Sequence, residues 1–178
     1  MKQKILIPEE RNWKNRYQHG GSLLKNKRKS ARPISTKKPM HFVLRSNRAR
    51  GSLSFLKNKR HKEIDTIIRR QAQLFGIKIY QTAVNSNHIH ILIRIKNRYL
   101  WKKWIKAVSG LVARFILNRE RGHVQPKIQF WDARPWSRIV EWGKAFTSVS
   151  KYVRQNFLEA WGFIPYRPRG LKLCMESG

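Results

Sequence analysis

Negative charge is what this chain has least of: nine Asp and Glu stand against forty Lys and Arg in 178 residues, a formal net charge of +31. A chain so poor in carboxylates cannot neutralise itself, so its partner is a polyanion, and nucleic acid is the first candidate. The imbalance does not separate DNA from RNA, or catalysis from plain binding. Cysteine is nearly missing as well. Cys174 stands alone, which excludes an intramolecular disulfide and a thiolate-held metal cluster. No apolar run approaches the roughly 18 residues of a membrane span, and the first segment lacks the apolar core of a signal peptide. These absences point to a reducing, nucleic-acid-containing compartment, most simply a bacterial cytoplasm with the protein on the nucleoid, and to no membrane partner. Apolar and aromatic residues, by contrast, are plentiful. Hydrophobic residues make up 40% of the chain, with seven Trp and eight Phe, too many for a purely disordered basic tail.

The length suits one ordinary domain and an arm. Residues 1–38 are polar and basic, with twelve Lys and Arg against two Glu, a Gly20-Gly21 pair and a cluster from Lys25 to Arg32. Their lack of periodicity predicts an arm that stays loose until it meets DNA, with Lys25, Lys27, Arg28 and Lys29 as candidate phosphate contacts. A plain solubilising tail would read the same way. A domain is expected over residues 39–162 and a tail over 163–178. His41 to Arg45 reads as a first strand, with His41, Val43 and Arg45 on one face and Phe42 and Leu44 on the other. Lys57 to Phe75 reads as an amphipathic helix whose inward stripe is Ile64, Ile67, Ile68, Gln71 and Leu74, ended by Gly76. Ile77 to Val84 is a second strand, turned by Asn85-Ser86-Asn87 into a third, which makes a hairpin. Tyr99 to Arg119 is a second helix with Leu100, Trp104, Val108, Leu111 and Phe115 on one stripe. A loop with Gly122 follows, then a fourth strand over Trp136 to Trp142, and Gly143 opens a last helix. Strand, helix, hairpin, helix, strand is the order of an α+β, ferredoxin-like fold: four antiparallel strands with two helices on one face.

The third strand carries the chemistry. In Asn87-His88-Ile89-His90-Ile91-Leu92-Ile93-Arg94-Ile95 the four isoleucines share one face, and His88, His90, Leu92 and Arg94 share the other. Alternate strand positions set two imidazoles side by side, and neutral imidazole is a common metal ligand. In the last helix Phe146, Val149, Val153 and Phe157 recur as a buried stripe, and Tyr152 and Asn156 stack on one flank four residues apart. Laid across the histidine face, that helix brings a phenol and a carboxamide oxygen to the imidazoles. Two nitrogens and an oxygen can hold a divalent cation with positions left open for substrate, and tyrosine can serve as a nucleophile. The same residues are also compatible with satisfied strand histidines, a tyrosine at a helix edge and a helix-end asparagine.

With these residues in place, the chain resembles the HUH single-tyrosine transposases, in particular the REP-associated tyrosine transposase branch, whose domain is shared with small insertion-sequence transposases. The likeness rests on His88-Ile89-His90 and on helical Tyr152 with Asn156. It extends to Pro39-Met40-His41-Phe42-Val43-Leu44-Arg45, to Ala83-Val84-Asn85-Ser86-Asn87-His88 and to Phe130-Trp131-Asp132-Ala133-Arg134-Pro135-Trp136-Ser137-Arg138, in order, from about Ile34 to Gly162. The resemblance implies that Tyr152 attacks a DNA phosphate to give a 5′-phosphotyrosine link. It also implies that His88, His90 and Asn156 hold Mg²⁺ or Mn²⁺, and that the substrate is single-stranded DNA beside an imperfect hairpin.

Arg45, Arg94, Arg134 and Arg138 are candidate DNA contacts, since guanidinium forks suit phosphates. Trp101, Trp104, Trp131 and Trp136 are candidates for base stacking, Trp104 being also a core candidate. Some relatives pair as homodimers that exchange tyrosine helices and others act as monomers, and the sequence does not decide between them. The rival from another class is a non-catalytic basic RNA- or DNA-binding module of the same fold, although such modules place aromatics where this strand has histidines.

Overall fold

The alternation of residues 88–95 is realised as an inner strand of an antiparallel sheet. The structure is a computed structural model that describes residues 17–24, 30–118 and 129–166. Lys25, Lys27, Arg28, Lys29, Gly122 and the expected tail beyond residue 166 lie outside the described residues. The elements are β1 (Gln18–His19), β2 (Met40–Arg45), α1 (Arg60–Leu74), β3 (Ile77–Val84), β4 (His88–Ile95), α2 (Arg98–Ile116), β5 (Trp136–Ile139) and α3 (Lys144–Ala160). The sheet runs β1-β5-β2-β4-β3, with every pairing antiparallel. Without β1 this is the ferredoxin-like arrangement expected from the element order. The sheet therefore has five strands rather than four.

The added strand comes from the segment expected to be loose. Gln18 and His19 pair with Arg138 and Ser137. Gly20 follows at φ +84°, and a Cβ there would lie 2.2 Å from the Pro135 carbonyl oxygen, so only glycine fits this approach. Arg32 ties the segment down. Its guanidinium donates to Pro135 O at 2.6 Å, to His19 O at 3.2 Å and to Ser137 Oγ, and lies 5.6 Å and 5.9 Å over the rings of Trp101 and Phe42. Burial, with Arg134 nearby as the lesser cause, lowers its pKa to about 10, which still leaves it charged at neutral pH. A two-residue strand carries no periodicity, so the sequence pattern offered no sign of it.

The main core lies on one face of the sheet. Ile89, Ile91, Ile93 and Ile95 join Phe42 and Leu44 beneath Ile64, Ile68 and Ala72 of α1 and Trp101, Trp104, Val108, Val112 and Ile116 of α2. Two expectations shift by a residue. In α2 the buried stripe includes Trp101, Val112 and Ile116 where Leu100, Leu111 and Phe115 were expected. Both sets fit a 3.6-residue period, and the Trp101 ring stacked on Phe42 at 4.3 Å selects the first. In α1, Leu74 is 68% exposed at the helix end and Ala72 takes the inward place. Trp101 and Trp104 are thus core residues and not stacking platforms. Trp131 also packs inward, on Phe130 at 5.0 Å, and its Nε1 donates to Ser109 O at 3.0 Å.

A smaller core sits on the other face, where Val149 and Val153 of α3 rest on Ala83, Leu92 and Val140. Among the described residues no helix is long and apolar enough to cross a membrane. If Arg32 anchors β1 as described, Arg32→Met should lower stability by roughly 2 kcal/mol, the scale of lost hydrogen bonds to a charged group. Thermal unfolding checks this, and an unchanged Tm would mean that the clamp contributes nothing.

Candidate active site

Strand register decides which side chains meet. Val43 faces His90, Arg45 faces His88 and His41 faces Leu92 across β2 and β4. On the far side of β2, Trp136 faces Val43 and Arg138 faces His41. Directly paired residues share a face, so His41, Val43, Arg45, His88, His90, Trp136 and Arg138 all lie opposite the isoleucine core. Helix α3 covers the β3–β4 half of this face through its valines, leaving the β2–β5 half open. Tyr152 stands at the boundary. Its ring lies 5.3 Å from that of His90 and nearly perpendicular, and 6.3 Å from that of His41.

The three residues expected to ligate metal come together. His88 and His90 have ring centroids 4.9 Å apart. His88 Nδ1 lies 2.8 Å from Asn87 Oδ1, an acceptor, so this nitrogen carries the proton; Nε2 keeps its lone pair and accepts from Asn85 Nδ2 at 2.9 Å. Asn156, buried on the underside of α3, donates through Nδ2 to the Tyr152 carbonyl at 2.7 Å, which turns its Oδ1 toward the same Asn85 amide nitrogen at 3.4 Å. Two lone-pair atoms from different elements converge on one positively polarised NH₂ group. Such convergence suits a cation, and two imidazoles with an amide oxygen are compatible with Mn²⁺ or, with added water oxygens, Mg²⁺. The donor set fits a divalent ion. Among the described residues no group of three or more His, Cys, Asp or Glu could do the same, so any such site depends on the asparagine.

Beside Tyr152 opens a cleft of about 1260 Å³, lined among others by Trp136, Arg45, Arg134 and Arg138. Arg45 Nε lies 3.9 Å from the Asp132 carboxylate, which also accepts from the Asn47 amide at 2.7 Å. Trp136 is the one tryptophan among the four stacking candidates that lines the cleft. Arg94 lies elsewhere: it projects beyond Leu92 and donates to Thr36 O at 3.4 Å. Two contributors escaped sequence reasoning. Asn85 read as a turn residue, and His41 was placed on this face without a partner. Its Nε2 lies 3.1 Å from His90 Nδ1 with the rings stacked at 5.2 Å. Burial, and to a lesser extent Arg138, pushes the pKa of His41 down to about 4.

A histidine pair on a strand, a tyrosine with an asparagine one turn on, and a cationic cleft beside them define the class of single-tyrosine HUH transposases. Residues 35–156 match the family described as "Transposase IS200 like". The chain belongs to that family, and the matched region includes every one of the proposed ligands and the tyrosine. No curated protein matches the chain significantly. Among solved structures it is similar to a REP-associated tyrosine transposase bound to a REP hairpin, at 13% identity over 77% of this chain and 76% of that one, with a TM-score of 0.51. It is also similar to a protein of Deinococcus radiodurans R1 assigned by name as a transposase, at 17% identity over 72% of this chain and 98% of that one, with a TM-score of 0.46.

His19, His41 and His61 all have pKa values lowered chiefly by burial. Between the lowered folded values and the unfolded value near 6.5 the unfolded chain binds more protons, so stability is full above this window and falls with pH inside it. His41 alone, shifted from 6.5 to about 4, represents on the order of 3 kcal/mol at most by the low end. In EDTA, Tm should therefore fall steadily from pH 7 to pH 4.5. A flat profile would show that these rings titrate normally.

Proposed function

We propose that this transposase cuts and rejoins single-stranded DNA at hairpin-flanked sites through a covalent link to Tyr152. The observation that carries the proposal is the Tyr152 phenol packed against His90 at the edge of a cleft bearing Arg45, Arg134 and Arg138. Those guanidiniums suit phosphates in a flexible strand, and Trp136 suits stacking on a base. A helix-borne phenol reaches a backbone phosphate more readily in a single strand than within a duplex. The structurally similar REP-associated transposase is bound to a REP hairpin, which supports a hairpin beside the cut.

In the proposed step the phenolic oxygen of Tyr152 loses its proton and attacks phosphorus in line. The Oη–P bond forms, the P–O3′ bond breaks, and the departing 3′ oxygen takes up a proton. The product is a 5′-phosphotyrosine and a free 3′-hydroxyl. Attack by another 3′-hydroxyl reverses the step, so the phosphodiester is conserved and strands are transferred without ATP. His88, His90 and Asn156 would hold Mg²⁺ or Mn²⁺, which when bound supplies positive charge to the non-bridging phosphate oxygens. Asn156 acts on Tyr152 as well, since its hydrogen bond to the Tyr152 carbonyl fixes the two side chains relative to each other.

Incubation with a labelled, hairpin-flanked oligonucleotide and Mn²⁺, followed by denaturing electrophoresis, tests the proposal. Wild type should form a covalent adduct. Tyr152→Phe should form none while still binding the oligonucleotide. His88→Ala and His90→Ala should also lose the adduct, with partial recovery at high Mn²⁺, and Asn156→Ala should fall between. An adduct on Tyr152→Phe would move the nucleophile elsewhere. Absence of an adduct with wild type on any such strand, with either ion, would leave a nucleic-acid-binding module instead.

Affinity for single-stranded DNA should fall steeply with salt, and Arg134→Ala or Arg138→Ala should each flatten the log–log slope by about 0.7, the value per phosphate contact. An unchanged slope would take these side chains off the DNA path.

A further inference from the structure

We infer that His41 is a positioning residue: it accepts a hydrogen bond from His90 Nδ1–H and so holds the lone pair of His90 on Nε2. The inference deepens the proposal above and rests on His90 being a metal ligand. A neutral imidazole has one protonated and one bare nitrogen, and only the bare one can ligate. His90 Nδ1 is committed to His41 at 3.1 Å, so Nε2 is the atom left for a cation. For Nε2 to be bare, the proton must sit on Nδ1, and then His90 donates and His41 accepts. His41 in turn carries its own proton on Nδ1, and its ring lines the cleft.

The neighbouring histidine follows the same rule with a different partner. His88 has Nδ1 at 2.8 Å from an amide oxygen and Nε2 facing the convergence point at Asn85. Both histidines would thus present Nε2, each fixed by an acceptor on Nδ1. Metal-ligating histidines commonly rely on such an outer partner, whose loss costs about 10–100-fold in metal affinity. Here the partner of His90 comes from a different strand, two residues along the register from its direct neighbour Val43. His41 is 5% exposed and stacked on His90 at 5.2 Å, with the edge of Trp136 at 5.5 Å on its other side. Its ring has little freedom to turn away.

The test uses the full chain labelled with ¹⁵N-histidine, metal-free, near pH 7.5. Long-range ¹H–¹⁵N correlation spectra report which ring nitrogen is protonated, and six histidines are few enough to assign by substitution. His90 should appear protonated on Nδ1 and bare on Nε2. A His90 protonated on Nε2 would mean that His41 donates, and would overturn the inference whatever the metal does. His41→Leu, which keeps apolar bulk but removes the acceptor, should leave His90 in a mixture of tautomers and weaken Mn²⁺ binding, read by electron paramagnetic resonance, about 10–100-fold. His41→Gln, which restores an acceptor oxygen, should recover most of that affinity. Unchanged Mn²⁺ binding in folded His41→Leu would overturn the inference. If the leucine variant does not fold, the wild-type spectrum and the glutamine variant decide it. Failure of wild type to bind Mn²⁺ at all would sink the metal proposal, and the metal-free spectrum would still decide which ring donates.

Discussion

Everything in this site depends on the register between β2 and β4. Side chains alternate with a period of two, so a slip of one residue would send the isoleucines to the cleft and the histidines into the core. Several independent features hold the register. Strand β2 is paired on both sides, to β4 and to β5, and cannot slide without breaking both ladders. Phe42 is locked between the sheet and Trp101. At the open end of the hairpin, Ser46 N donates to Asn87 O and Phe55 N to Ser86 O, each at 2.9 Å, while Asn85 N closes the turn on His88 O. The turn that delivers His88 is therefore fastened to the segment after β2 and not only to its own strands. A diagonal contact such as His41 to His90 is available only in this register.

The tyrosine reaches the site by a different route. Helix α3 makes no strand pairing, and its place is set by side chains at three points. Val149 and Val153 fill the small core on Leu92 and Ala83. Near its start Phe146 meets Tyr80 at 5.1 Å and Trp142 at 5.1 Å. Just past its end Trp161 packs edge-on against His61 at 4.5 Å, with Lys62 5.8 Å over the same indole. Aromatic contacts at both ends with aliphatic contact between fix the rotation of the helix as well as its position. Because Tyr152 lies beside Val153 in sequence and one turn before Asn156, that fixed rotation aims both polar groups at β4 together.

Where the sequence was legible, periodicity made it so. The isoleucine–histidine alternation gave the two faces of β4, and the Val149–Val153 spacing gave the packed side of α3; both follow from burial on one face. The α2 stripe was misread by a residue at several positions because two apolar stripes coexist on that helix. Only the tertiary choice of Trp101 against Phe42 separates them. β1 was not legible, since its two residues are held by a glycine's close approach and by one arginine reaching 103 residues along the chain to Pro135. Asn85 and His41 were legible as residues and not as partners, because a hydrogen bond between side chains of different elements leaves no pattern in sequence.

The scarcity of carboxylates bears directly on the chemistry proposed for the site. Of the acidic residues in the described structure, Asp65 holds Arg69 and Thr82, Asp132 faces Arg45 and the Asn47 amide, Glu141 holds Lys38, and Glu159 accepts from Gln155. Glu63 lies in the first turn of α1, where it favours the helix dipole. None of these is among the proposed ligands, which are all neutral. A carboxylate ligand would cancel part of a divalent cation's charge before substrate arrived. Two imidazoles and an amide leave that charge undiminished for the phosphate, at the cost of weaker binding in a protein already strongly cationic. The DNA backbone relieves this penalty, because its negative charge favours the cation in the cleft and its oxygens complete the coordination. Ion and DNA should consequently bind with mutual reinforcement, and by linkage each should raise the affinity of the other by the same factor.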